Sequence, residues 1–110
     1  MLDGAYLVAL ALTLVLELPI VLGGFWRVRP RSRVVMVFAA ANLFTHGTLW
    51  ACWFHLPGDY LARLIVCESA VVIVEAAAYR VLLGVGAWRA AAVSLAANVA
   101  STVIGLALWI

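Results

Sequence analysis

The sequence contains no lysine, and its cations are seven arginines. Charged residues make up 11% of the 110 positions, less than half the usual share in soluble domains. Such scarcity excludes a water-facing globular domain of useful size. No glycine-rich phosphate loop, nucleophile motif, CxxC or CxxCH occurs in the chain. Phosphate-cradling, thiol-redox and haem-attachment chemistry are thereby excluded, and a net charge of +2 gives nucleic acid nothing to hold.

Apolar side chains are abundant instead. They occupy 68% of positions, and mean hydropathy is +1.18. A spanning helix needs about 20 apolar residues at roughly 1.5 Å each. Four such stretches fit, at about 5–24, 34–54, 64–85 and 90–110, and use almost the whole chain. The expected fold is all-α: an integral membrane bundle of four transmembrane helices forming a single domain. The first stretch follows Asp3 and precedes an arginine cluster. A cleaved signal has the reverse polarity and a shorter apolar core, so this stretch is read as a retained helix.

Arginine placement sets the expected orientation. FWRVRPRSR (25–33) carries four arginines, and Arg80 and Arg89 fall at the same end; only Arg63 lies opposite. The positive-inside rule then places loop 25–33 in the cytoplasm, with both termini and the His55–Arg63 loop outside. The lysine-free, Ala- and Arg-rich composition points to a GC-rich bacterial gene and hence to a bacterial inner membrane. Trp26, Trp50, Trp53, Tyr60, Trp88 and Trp109 are expected as an interfacial aromatic belt. Cys52 and Cys67 fall near the outer ends of neighbouring helices, where either a disulfide or two free thiols would fit.

The halves of the chain resemble each other. Residues 40–45 read AANLFT and 96–101 read AANVAS, each preceded by Gly-x-Trp-Arg (24–27 and 86–89) and, earlier still, by a glutamate, Glu17 or Glu75. Two tandem related hairpins would form a parallel repeat about an axis along the membrane normal. That axis would place Glu17 near Glu75 and Asn42 near Asn98. Chance matching between Ala-rich helices is the alternative.

Ionisable groups at bilayer depth are costly and tend to face the bundle interior. Glu17 and Glu75 are expected near mid-membrane, roughly level with Asn42 and Asn98, and Glu68 nearer the outer leaflet. Asn42, Thr45 and His46 share one stripe of the second helix, and Ser94, Asn98, Ser101 and Thr102 one of the fourth. Glu17, Asn42, His46, Glu68, Glu75 and Asn98 thus form a candidate ligand or ion pathway, with Thr45, Tyr79, Ser94 and Ser101 secondary. Carboxyl and imidazole groups can exchange protons or ligate a divalent cation, and hydrogen-bonded helix contacts explain the same residues structurally. Pro19 is expected to kink the first helix beside Glu17, and Tyr79 with Arg80 to anchor the third at the inner interface.

The length and four-helix plan resemble the small multidrug resistance transporters, which carry an essential glutamate in helix one. The surroundings LELPIV and the charge density of the third helix depart from that family. Glu75-Ala-Ala-Ala-Tyr-Arg80 is similar to the Glu-Glu-x-x-x-Arg motif of membrane-embedded CAAX-type proteases, but Ala76 replaces the second glutamate and the later His motifs are missing. Neither family is claimed. The leading expectation is a small transporter or channel-like protein for protons, a cation or a small solute, working as a homo-oligomer or with a membrane-protein partner. The alternatives are an embedded hydrolase with Glu75 as general base and His46 beside it, or a non-catalytic subunit of a membrane complex.

Overall fold

A computed structural model describes residues 4–109, without the side chains of Ala5, Tyr6 and Trp109. Asp3 and Ile110, and the Trp109 side chain assigned to the aromatic belt, lie outside the described residues. The fold is all-helical, with α1 (Gly4–Gly24), α2 (Arg31–Cys52), α3 (Tyr60–Leu83) and α4 (Ala87–Trp109), and a 3-10 turn at Trp53–His55 after α2.

Helix ends follow capping chemistry rather than hydropathy, which is why they depart from the apolar stretches. Pro30 takes an extended conformation at φ −73°, ψ 152°, and α2 starts at the next residue, before the apolar run at Val34. Asp59 caps α3 by accepting a hydrogen bond from the Ala62 amide at 2.8 Å, so the helix begins at Tyr60. Gly84 ends α3 in the left-handed region at φ 69°, its amide bonded to the Arg80 carbonyl, and the next helix starts at Ala87. α1 is unbroken through Pro19, whose side is exposed.

Each helix packs on two neighbours in the ring α1–α2–α3–α4, with α1 opposite α3 and α2 opposite α4. The bundle is 39 Å long, against a hydrocarbon layer of about 30 Å. Its polarity is reversed relative to a soluble bundle. Val15, Phe44, Ile73 and Val81 are among many large apolar side chains on the outside, whereas Glu17, Asn42, Thr45, Glu75, Ser94 and Asn98 are buried. Three helices are long and apolar enough to cross a membrane: α1, α2 and α4. α3 has the length, but every 18-residue stretch of it holds at least three of Arg63, Glu68, Glu75 and Arg80.

At the arginine-rich end the interior is a closed apolar plug centred on Val21, Phe25, Val34, Phe38 and Tyr79. Tyr79 is buried there with its ring edge-on to Phe25 at 5.1 Å, which corrects the expectation of an interfacial anchor. The tyrosine lies one turn beyond Glu75 and so shares its inward face. Arg80 is exposed and donates to the Val85 carbonyl. Arg31 donates to the Leu22 and Phe25 carbonyls at 2.8 and 2.7 Å. It thus caps the negative end of the α1 dipole and ties α2 to α1. Trp26 and Trp88 are exposed at this end, Trp50 and Tyr60 at the other, and Trp53 is half-buried. Cys52 and Cys67 are free thiols, the first exposed and the second buried.

α1 approaches α4 most closely at Gly24, where an added Cβ would lie 2.5 Å from Val93 Cγ2. Valine is stiff at χ1 and gives way poorly. Gly24→Ala should therefore destabilise the protein by about 1–3 kcal/mol through overpacking. Gly23→Ala, facing open space, should leave stability unchanged or slightly raised. Thermal unfolding of the two variants in detergent checks the difference.

Candidate functional site

Glu75, on α3, is fully buried and receives hydrogen bonds from two other helices. Thr45 Oγ1 of α2 donates to Oε2 at 3.1 Å, and Asn98 Nδ2 of α4 donates to Oε1 at 2.8 Å. Glu17, on α1, is 1% exposed and receives one bond, from Ser101 Oγ to Oε2 at 2.5 Å. Its Oε1 is buried without a donor. No arginine is hydrogen-bonded to either carboxylate; neutral hydroxyl and amide groups do this work.

The hydroxyls have a second partner. Thr45 Oγ1 lies 3.2 Å from the Asn42 carbonyl, and Ser101 Oγ 3.2 Å from the Asn98 carbonyl. A hydroxyl carries one donor and two acceptor sites. Facing a charged carboxylate it donates to it. Facing a protonated carboxyl it accepts from it and turns its own proton to the carbonyl. Either protonation state is thus served by the same atoms in the same places.

Corresponding positions of the two hairpins make corresponding bonds. Asn42 Nδ2 donates to the Phe38 carbonyl at 3.0 Å and Asn98 Nδ2 to the Ser94 carbonyl at 2.8 Å. Thr45 and Ser101, last residues of the two Ala-Ala-Asn-x-x-Ser/Thr segments, each bond the glutamate of the other hairpin. The correspondence stops at one bond. Asn98 also donates to Glu75, while Asn42 does not reach Glu17, and Asn42 Oδ1 and Glu17 Oε1 are both left unpartnered. The amides do not bond each other, and neither do the carboxylates, although Glu17 and Glu75 are close enough for their charges to interact.

A cavity of about 470 Å³ occupies the half of the bundle beyond the plug. Glu17, Asn98 and Ser101 line its deepest part, His46 and Glu68 lie further out, and Trp50, Trp53, Phe54 and Tyr60 surround the mouth. Among the candidate pathway residues, Glu17, His46, Glu68 and Asn98 therefore share this space. Glu75 lies behind Asn98, and Asn42 is buried outside the lining. Of the secondary group, Thr45 and Ser101 hold the carboxylates. Ser94 instead ties α4 to the Val72 carbonyl of α3 at 2.9 Å, and Tyr79 belongs to the plug. Glu75 is joined to Thr45 and Asn98 and not to His46, so the acid–base pair expected of a hydrolase is not assembled. Among the described residues no three His, Cys, Asp or Glu side chains group as metal ligands would.

Sequence reasoning missed Thr13, Leu49 and the inward role of the aromatics at the mouth. The signal was present: Asn42, His46, Leu49, Trp50 and Trp53 follow the spacing of a single helical face. Assigning the tryptophans to an interfacial belt concealed it. No family model matches the chain, and no curated protein or solved structure is similar to it.

The hydrogen bonds rank the two asparagines. Asn98→Ala would strip a donor from a buried carboxylate, whereas Asn42→Ala removes a bond within its own helix. Asn98→Ala should be the more destabilising by about 1–2 kcal/mol, measured by reversible unfolding of both variants in mixed micelles.

Proposed function

We propose that the chain crosses the membrane four times, as two related hairpins, and works as a small transporter in which Glu17 exchanges a proton or cation with the cavity. The observation that carries this reading is the setting of Glu17. It lies at the cavity floor, next to the plug, with one oxygen held by Ser101 and the other lacking a donor. An unpaired buried acceptor costs free energy that binding a proton or cation recovers. The Ser101 hydroxyl supports exchange because it serves both protonation states.

In this proposal α3 is the fourth span. Its mid-helix carboxylate Glu75 is buried and bonded, Glu68 faces the cavity, and Arg63 and Arg80 stand near the helix ends. Lipid would then meet Ile65, Val66, Ile73 and Val81. The positive-inside rule puts the arginine-rich plug in the cytoplasm and the cavity mouth outside. An outward cavity above a closed plug is one half of an alternating-access cycle. The site is complete within one chain, and a homo-oligomer would assemble through the apolar outer faces.

Purified protein reconstituted in liposomes should dissipate an imposed pH gradient. Glu17→Gln should slow that flux by about tenfold or more, as expected for loss of an exchanging group, and Ser101→Ala should slow it less. Gel filtration and thermal unfolding establish that the variants are folded. Undiminished flux in a folded Glu17→Gln protein would overturn the proposal. No flux from the parent protein, with loss of a co-purifying membrane protein in Glu17→Gln, would favour the subunit reading.

A further inference from the structure

The cavity is far larger than a proton or a bare metal ion needs. At about 470 Å³ it falls in the range of small-molecule sites. Its lining combines three features. The mouth is aromatic, with Trp50, Trp53, Phe54 and Tyr60, and Trp53 and Tyr60 stand edge-to-face at 5.5 Å. The interior carries two carboxylates, Glu68 partway down and Glu17 at the floor, while no arginine lines any part of it. The floor carboxylate retains an oxygen without a donor.

Each feature selects against a class of ligand. An anion would meet two carboxylates and no cation. A sugar-like polyol would leave most of its hydroxyls facing aromatic and aliphatic walls, unpaired. A small hydrated inorganic ion would forfeit its water to a wall that offers few oxygens, and the described residues contain no ligand cluster to replace it. A cation with an apolar body meets no such cost. Aromatic faces attract positive charge, most strongly where water is excluded, and organic ammonium groups are typical guests of aromatic enclosures. A second hollow, of about 420 Å³, lies between α3 and α4 and shares Glu68, Asn98 and Thr102 with the cavity. Those side chains separate the interior from the outer surface of the bundle, where an amphiphilic solute would concentrate.

We infer that the cavity binds an organic ammonium ion with an apolar or aromatic body, its charge directed to Glu17 and its body against the aromatic mouth. This rests on the transport reading of the same site and names its solute class.

The test uses the full chain in detergent. Benzyltrimethylammonium is the probe, and neopentylbenzene, its neutral isostere, is the control. Calorimetry or tryptophan fluorescence should show saturable binding of the ammonium and at least about tenfold weaker binding of the isostere. Glu17→Gln should weaken ammonium binding by about tenfold or more, and Glu68→Gln and Trp53→Leu by a few-fold each. Weakening in only the variants that also lose thermal stability would overturn the inference, as would equal affinity for the isostere. Liposome flux separates the two proposals. Glu17-dependent proton flux without ammonium binding overturns the solute class and leaves transport standing. Glu17-dependent ammonium binding without flux of either species upholds the solute class and overturns transport.

Discussion

Two carboxylates buried in an apolar bundle, with donors from neighbouring helices and no arginine bonded to them, are the constraint from which the rest of the structure follows. A buried carboxylate without donors costs several kcal/mol, so each must turn inward to a hydroxyl or amide. Glu75 on α3 is held by Thr45 of α2 and Asn98 of α4, and Glu17 on α1 by Ser101 of α4. Those three bonds fix the facing surfaces of all four helices. Burial of apolar area cannot do this between helices whose outer faces are equally apolar. Close approach at Gly24 and the Arg31 clamp on the α1 carboxyl end then lock the arginine-rich half.

The near-symmetry of the bonds gives the two glutamates different parts. Glu75 has a donor on each oxygen and behaves as a structural node. Glu17 lacks the amide that Asn98 gives Glu75, and it lies on the cavity. One missing hydrogen bond thus separates a carboxylate that joins helices from one with capacity left for a ligand. Asn42, the residue that would complete the symmetry, turns its amide nitrogen to its own helix.

Much of this was legible in the sequence, and the losses have physical causes. The helices and their order follow from hydropathy and from Pro30, Asp59 and Gly84. The inward stripe on α4 follows from the spacing of Ser94, Asn98 and Ser101. The Ala-Ala-Asn-x-x-Ser/Thr likeness marked Thr45 and Ser101, but the pattern could not say that each would serve the opposite hairpin's glutamate, because that depends on how the helices are arranged in the ring. Tyr79 and the tryptophans at the mouth were assigned outward roles since aromatics near helix ends suit an interface. Packing against Phe25, and the room left where α2 and α3 diverge from α1 and α4, decided otherwise, and neither is encoded in local spacing.

The account turns on Glu17 lying between a water-accessible chamber and a closed plug. Thr13 and Val21 are each four residues from it on α1, the first on the cavity and the second buried in the plug. With Cys52 and Cys67 replaced by serine, single-cysteine proteins Thr13→Cys and Val21→Cys can be exposed, in vesicles of known orientation, to a membrane-impermeant thiol reagent. Thr13→Cys should react only from the side bearing the Trp53–Tyr60 turn, and Val21→Cys from neither side. Reaction of Val21→Cys from the arginine-rich side, or no reaction of Thr13→Cys from either side, would contradict the account.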